Sequence, residues 1–327
     1  MTHSPFTRRH ALGALAALGG SALLPAAAQP AAYPSKPVEL IVPFAAGGGT
    51  DVLARALAEA ARPHLSQSLI VINRAGASGG VGWAELVNAK PDGYKLAIIT
   101  VEITMIPHMG VVKFTSDDVT PIVRLNADPA TIAVRADSPY KTIEEFLAAA
   151  RKAPGALRVG NAGPGSLGHL AAAALEDKTG TQFNHVPFRG ANPAVLDLLG
   201  GHIEAVAVTP VEVATYVAAG KVRPLAVMAD KRIAAGWEQV PTLGERQIDL
   251  VIQGWRGLAA PKGTPPEVLA VLRNAMVKAL QEPALRETMA KQNMGDGYLD
   301  EAAFKALIAR DNASFRQLIH KLGIKPV

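Results

Sequence analysis

No cysteine occurs among the 327 residues. Disulfides, thiolate metal sites and cysteine nucleophiles are excluded together. Charge is also sparse, at 19% against 49% hydrophobic residues, which excludes an intrinsically disordered chain and argues for a packed core. The eight histidines show neither H-x-x-x-H nor H-E-x-x-H spacing, so no metal site is expected, and no cofactor. The net charge is +5, and Arg8 and Arg9 of the leader supply two of those charges. No Lys/Arg stripe with interleaved aromatics accompanies it, so a nucleic-acid partner is not expected. A modest positive balance suits small anionic ligands. Beyond residue 29 no apolar run is long enough to span a bilayer.

The one long apolar run lies at the start. Arg8-Arg9 precedes apolar residues 11–24, and Ala26-Ala27-Ala28 stands before Gln29. This pattern reads as an export signal over residues 1–29, cleaved near 29–32. Thr7-Arg8-Arg9-His10-Ala11-Leu12 is similar to a twin-arginine signal, with Ala11 in place of a larger apolar residue. The general secretory route remains open, since two arginines in a charged leader are common. Both routes place the mature chain outside the inner membrane, in the periplasm.

The mature chain is organised around Val38-Glu39-Leu40-Ile41-Val42-Pro43-Phe44-Ala45-Ala46-Gly47-Gly48-Gly49-Thr50-Asp51. Its apolar start reads as a buried strand. Three glycines then permit a tight turn, and Thr50 or Asp51 can cap a helix over 52–61. A strand, a glycine loop and a helix start aim bare N–H groups at one point, which outlines an anion site. The plainer alternative is an ordinary βα turn.

Strands at 68–72 and 94–100 around a helix at 83–89 complete a βαβαβ unit, which predicts a parallel sheet. Its ligand belongs beyond the carboxyl ends of the strands, where Glu102 is the nearest acid. Extended chain with Pro121 and Pro129 over 117–136 marks a crossover. A second α/β set follows, with strands at 157–160, 183–187, 203–208 and 223–228. Thr142-Ile143-Glu144-Glu145 is a capping box, and 161–168 is a glycine loop. A second crossover falls at 250–258. Helices close the chain, beginning at Thr264-Pro265-Pro266-Glu267 and covering 283–291 and 301–322.

Two motifs point to catalysis and have plainer readings. Gly163-Pro164-Gly165-Ser166-Leu167-Gly168 matches the dinucleotide pattern G-x-G-x-x-G. The strand at 183–187 lacks the acidic residue that would hold a ribose, so a second anion-cradling loop is the alternative. Gly76-Ala77-Ser78-Gly79-Gly80 matches the hydrolase elbow G-x-S-x-G, with Ser78 as nucleophile, but shows no separate oxyanion motif. His169, at a helix start, is expected neutral and hydrogen-bonded. Glu102 can accept from a ligand hydroxyl or ammonium, or be a solvated loop acid. Trp83, Trp237 and Trp255 are expected in the core, Trp255 also near the cleft.

Tyr33-Pro34-Ser35-Lys36-Pro37 with the stretch at 42–51 resembles the start of the substrate-binding proteins of tripartite tricarboxylate transporters, the Bug family. Asn73-Arg74-Ala75-Gly76-Ala77-Ser78-Gly79, Pro91-Asp92-Gly93-Tyr94, Gly165-Ser166-Leu167-Gly168-His169-Leu170-Ala171 and His185-Val186-Pro187-Phe188-Arg189-Gly190-Ala191 continue the likeness in order. Leu198-Leu199-Gly200-Gly201, Val240-Pro241-Thr242-Leu243 and Ala260-Pro261-Lys262-Gly263-Thr264-Pro265 extend it across the mature chain.

The resemblance implies an α/β, two-domain periplasmic binding protein of type II-like architecture, with a ligand cleft between the domains. They are placed at 33–126 plus 256–327 and at 127–255. It implies a small carboxylate ligand, integral membrane subunits of a tripartite transporter as partners, a monomer, and no catalysis. Ligand contacts are implied at Phe44, Ala45, Gly47, Gly48 and Asp51, at Ser166, and at Gly190 and Ala191, with one glycine loop from each domain converging on the carboxylate. Two departures stand out. Thr100-Val101-Glu102-Ile103-Thr104 replaces a polar T/S-rich segment, and Val208-Thr209 replaces an aspartate beside the cleft. Glu102 and Thr209 are therefore added to the site as readers of the rest of the ligand. An exported serine hydrolase, a nucleotide-dependent oxidoreductase and a ligand sensor for a membrane kinase are the alternatives.

Overall fold

The computed structural model describes residues 33–324 apart from Ala235. The export-signal reading lies outside the described residues. Strand β1 (Val38–Val42) has four wholly buried side chains, as befits a strand covered on both faces. It leads through α1 (Gly49–Ala61), β2 (Leu69–Asn73) and α2 (Gly80–Val87) to β3 (Lys95–Thr100). β1 pairs in parallel with both β2 and β3, which is the expected βαβαβ unit. Leu53 and Leu57 of α1 are fully buried, each contributing about 1.5–3 kcal/mol. On α2, Trp83 is fully buried and its indole N–H donates to the carbonyl of Ile98 at 3.0 Å.

The crossover expected over 117–136 is built of strands. β4 (Val119–Pro129) lies at the edge of the first sheet, and β5 (Thr131–Arg135) belongs to a second sheet, with Ala130 alone between them. An edge strand tolerates prolines, so Pro121 and Pro129 sit inside β4. The second sheet continues through α3 (Ile143–Lys152), β6 (Arg158–Asn161), α4 (Leu167–Thr179) and β7 (Asn184–Pro187). It is completed by α5 (Ala191–Leu199), β8 (Ala205–Val208), α6 (Pro210–Ala218) and β9 (Val222–Val227).

The return segment is also a strand. β10 (Gln253–Pro261) enters the first sheet between β3 and β4, antiparallel to both. The first sheet is therefore mixed, in the order β2-β1-β3-β10-β4, rather than parallel throughout. The second has the order β7-β6-β8-β5-β9, with β6 parallel to β7 and β8, and β5 antiparallel to its neighbours. Helices α7 (Pro266–Ala279), α8 (Pro283–Lys291) and α9 (Glu301–Leu322) finish the chain. α9 packs on β4 and reaches α4 of the second sheet, where Lys321 pairs with Asp177 at 2.6 Å. Among the described residues no helix is long and apolar enough to cross a membrane.

Candidate functional site

The carboxyl ends of β1, β3, β6, β7 and β8 run into turns that meet between the two sheets. A cavity with an empty volume of about 670 Å³, its mouth included, opens there. Phe44, Ala45, Gly48, Glu102, Ser166, Gly190, Ala191 and Thr209 line it. Gly47 and Asp51 do not.

The first loop shows why those two stand back. Gly47 takes a φ of +79°, and its N–H donates to Asp51 Oδ2 at 2.9 Å. The same oxygen accepts from Arg55 Nε at 3.0 Å, and Oδ1 accepts from Asn73 Nδ2 at 2.9 Å. Burial works against the Asp51 charge, yet these three bonds hold its carboxyl below the usual carboxylate range. Asp51 thus shapes the loop from behind. The expected cap is corrected too: α1 begins at Gly49, its N-cap is Gly48, and neither Thr50 nor Asp51 caps it. The Thr50 hydroxyl oxygen instead accepts from Arg256 Nε at 3.0 Å. The start of α1 consequently has no side-chain cap.

The loop after β7 ends the same way. Gly190, at a φ of +122°, is the N-cap of α5, again with no side-chain cap. The two loops lie close together: a Cβ on Gly190 would lie 3.8 Å from Ala45, and one on Gly47 3.7 Å from Asn192 Nδ2. Two uncapped helix starts, one from each sheet, therefore share one wall of the cavity.

The other two helix starts are occupied by the protein's own carboxylates. Glu102 is buried, not a solvated loop acid; its Oε1 accepts from Leu167 N, at the start of α4, at 3.0 Å, and Oε2 accepts from the Thr100 hydroxyl. Ser166 caps α4 by accepting from His169 N at 3.3 Å. The second glycine loop is thus already bonded through two first-turn amides. His169 Nδ1 accepts from Gly165 N at 3.1 Å, which requires a neutral ring, and burial pushes its pKa down to about 4. On α6, Glu212 Oε2 accepts from Thr209 N at 2.7 Å and from the Thr209 hydroxyl.

Sequence reasoning missed the floor of the cavity. Arg256 on β10 is 6% exposed and donates to Asp128 through Nη1, to Glu212 Oε1 through Nη2 at 2.8 Å, and to Thr50 through Nε. Burial opposes the charge, yet Asp128 and Glu212 hold the guanidinium above its ordinary value. Burial pushes the Glu212 carboxyl up, and Arg256 opposes that shift. Asp128 also accepts from Gly295 N at 2.8 Å and Asn126 Nδ2 at 2.7 Å. A lone arginine inside the apolar run 254–261 was the available signal. Trp255 lines the cavity and donates to Asp311 Oδ2 at 2.8 Å.

The two motifs with catalytic readings have structural contacts in the fold. Ser78 gives its hydroxyl proton to the carbonyl of Pro164 at 2.5 Å, not to a histidine. In the Gly163–Gly168 loop, a Cβ on Gly168 would lie 1.9 Å from the Ala207 carbonyl oxygen, so this glycine is needed to seat α4 on β8.

The model for the tripartite tricarboxylate transporter family receptor, TctC, matches residues 53–324. A Cupriavidus necator protein, described as the UPF0065 protein in the gbd 5' region, is 36% identical over 325 residues, 99% of each chain. A TctC solute-binding protein from Polaromonas, solved without ligand, is 56% identical, covering 88% of this chain and 99% of its own, with a TM-score of 0.67. The periplasmic binding protein BugD is 30% identical, covering 90% and 100%, at a TM-score of 0.85. An R. palustris protein solved with adipate is 26% identical, with the same coverage and TM-score. With a family match over most of its length, the chain belongs to the tripartite tricarboxylate transporter receptor (TctC) family.

Proposed function

We propose that this protein is a periplasmic receptor that captures a small carboxylate between its two sheets and delivers it to the integral membrane subunits of a tripartite transporter. The two uncapped helix starts, α1 at Gly48–Gly49 and α5 at Gly190–Ala191, carry this reading. A carboxylate seated between them accepts N–H bonds from both halves and gains from both helix dipoles. Binding through neutral donors stays reversible, which a receptor needs. Phe44, Ala45, Gly48, Ser166, Gly190, Ala191, Glu102 and Thr209 form the contact set, and Gly47 and Asp51 hold the first loop in shape.

Hinge closure belongs to the same reading, with lobes at 33–126 plus 256–327 and at 127–255 turning about β4 and β10. The Polaromonas relative, at 56% identity and without ligand, superposes less well than the adipate-bound one at 26%. Rotation of the two lobes would produce such an inversion. The receptor acts as a monomer after loss of its leader near 29–32, exported by either route.

The test is a thermal-shift screen of the mature chain, from about Ala32, against mono-, di- and tricarboxylates, amino acids and nucleotides. A ligand at about 100 times its Kd adds roughly 2.7 kcal/mol of stability. Stabilisation by a carboxylate, lost in Gly48→Leu, is the expected result. Stabilisation by nucleotides alone overturns the proposal.

A further inference from the structure

Resting on that reading, we infer that the carboxylate ligand also carries a protonated nitrogen, and that Glu102 is the residue that selects it. The charged side chains lining the cavity are Glu102, Glu212 and Arg256. Asp128 stands directly behind Arg256 and bonds to it. Three carboxylates thus surround a single guanidinium. Each nitrogen of that guanidinium already donates to a protein acceptor: Nε to Thr50, Nη1 to Asp128, and Nη2 to Glu212. Among the described residues Arg256 is the one cation lining the cavity, and its charge is already matched by two carboxylates, Asp128 and Glu212, so it is not a free counter-ion for the ligand.

Glu102 is placed differently from the other two acids. Asp128 and Glu212 both pair with Arg256, whereas Glu102 bonds only to neutral donors, the Leu167 amide and the Thr100 hydroxyl. It is 7% exposed, and that exposure is onto the cavity. An ionised carboxylate only accepts hydrogen bonds, and each Glu102 oxygen retains a lone pair after its single protein bond. A ligand group brought against it must donate. A second ligand carboxylate would set like charges together in a buried site, which costs affinity. A protonated nitrogen supplies both the donor and the missing charge.

The two free helix starts at α1 and α5 take the ligand's own carboxylate, so the complete ligand is a zwitterion. It leaves the cavity closer to electrical balance than any dicarboxylate does. The dipole of α4, spent on Glu102, stabilises the carboxylate that does the selecting.

The experiment measures affinities by calorimetry on the mature chain. Matched sets differ in one end group: succinate, γ-hydroxybutyrate and γ-aminobutyrate; adipate and ε-aminocaproate; lactate and alanine, with the longer α-amino acids. The amino member of at least one set is expected to bind about tenfold more tightly than its dicarboxylate or hydroxy counterpart. In Glu102→Gln, whose amide still bonds Leu167 and Thr100, that preference is expected to collapse to about unity. Retention of the preference in Glu102→Gln overturns the role of Glu102. Tighter binding of dicarboxylates or hydroxy acids by the native chain overturns this inference and leaves the carboxylate receptor standing. Failure of every carboxylate, amino or otherwise, overturns both.

Discussion

Replacing Asp128 with alanine isolates what holds the cavity floor together. Asp128 is 1% exposed and Arg256 6%, so water screens their attraction little. Removing the aspartate leaves a buried guanidinium with Glu212 as its remaining carboxylate partner, and orphans the Gly295 amide. Breaking a buried pair of this kind costs about 3–5 kcal/mol. In a chain of this size that lowers the melting temperature by on the order of 10 °C. Calorimetric melting of the mature protein reads the loss. The decisive comparison is the double variant, Asp128→Ala with Arg256→Met. It removes the stranded cation, and Glu212, whose carboxyl burial already pushes up, can then take up a proton. The double variant is therefore expected to be more stable than Asp128→Ala alone. A double variant less stable than the single would refute the reasoning, since the cost would then lie in packing and not in an uncompensated charge.

Other perturbations test the loops and the closure. His169 is held neutral, its pKa pushed down to about 4 from an ordinary 6.5. The stability this neutral ring contributes is complete above pH 6.5 and is lost as pH falls towards 4, by up to about 3 kcal/mol; urea titrations of His169→Gln should show a flatter dependence over that window. Gly168→Ala places a Cβ against the Ala207 carbonyl, a backbone clash, and should cost 1–3 kcal/mol or more by the same assay. Ser78→Ala removes the Ser78–Pro164 bond that joins the halves. Under the proposed hinge closure it is expected to weaken ligand binding by about three- to tenfold in calorimetry, because a net bond of about 0.5–1.5 kcal/mol would be made only on closure; an unchanged Kd would show that binding does not use it.

Local signals in the chain set most of the fold. The helices at 283–291 and 301–322 emerge with the expected bounds, because proline at the first turn and an Asp300 cap mark their starts. Alternation of strand and helix is enough to foresee two α/β halves. The antiparallel entry of β10 is not foreseeable, because nothing in 253–261 says which strands it will lie between. The same distance problem hid the cavity floor. Arg256 meets Thr50, Asp128 and Glu212 across separations of 206, 128 and 44 residues. No spacing rule reaches across such gaps. What the chain does show is each charge alone in an apolar setting, and a buried charge in such a place must find a partner.

The glycine loops were the most visible feature of the sequence, and their count misleads. A glycine loop ending in a helix start is an anion site only while its amides are free. Among the described residues four helix starts line this cavity, and carboxylates decide which remain free, one remote in sequence (Glu102) and one in the helix's own first turn (Glu212). Glu102 takes the start of α4, and Glu212 that of α6. The starts of α1 and α5, opened by Gly48 and Gly190, have no such side chain. Under the function proposed above, the second glycine loop, which looks like the partner of the first, thereby gives up the carboxylate to the shorter turn after Phe188. Occupying α4 with a glutamate also changes what the remaining wall asks of a ligand. A serine or threonine at residue 102 would leave the α4 amides for a second ligand carboxylate. A glutamate there turns the same helix start into a buried acceptor, which under the inference drawn above favours a ligand that brings its own positive charge.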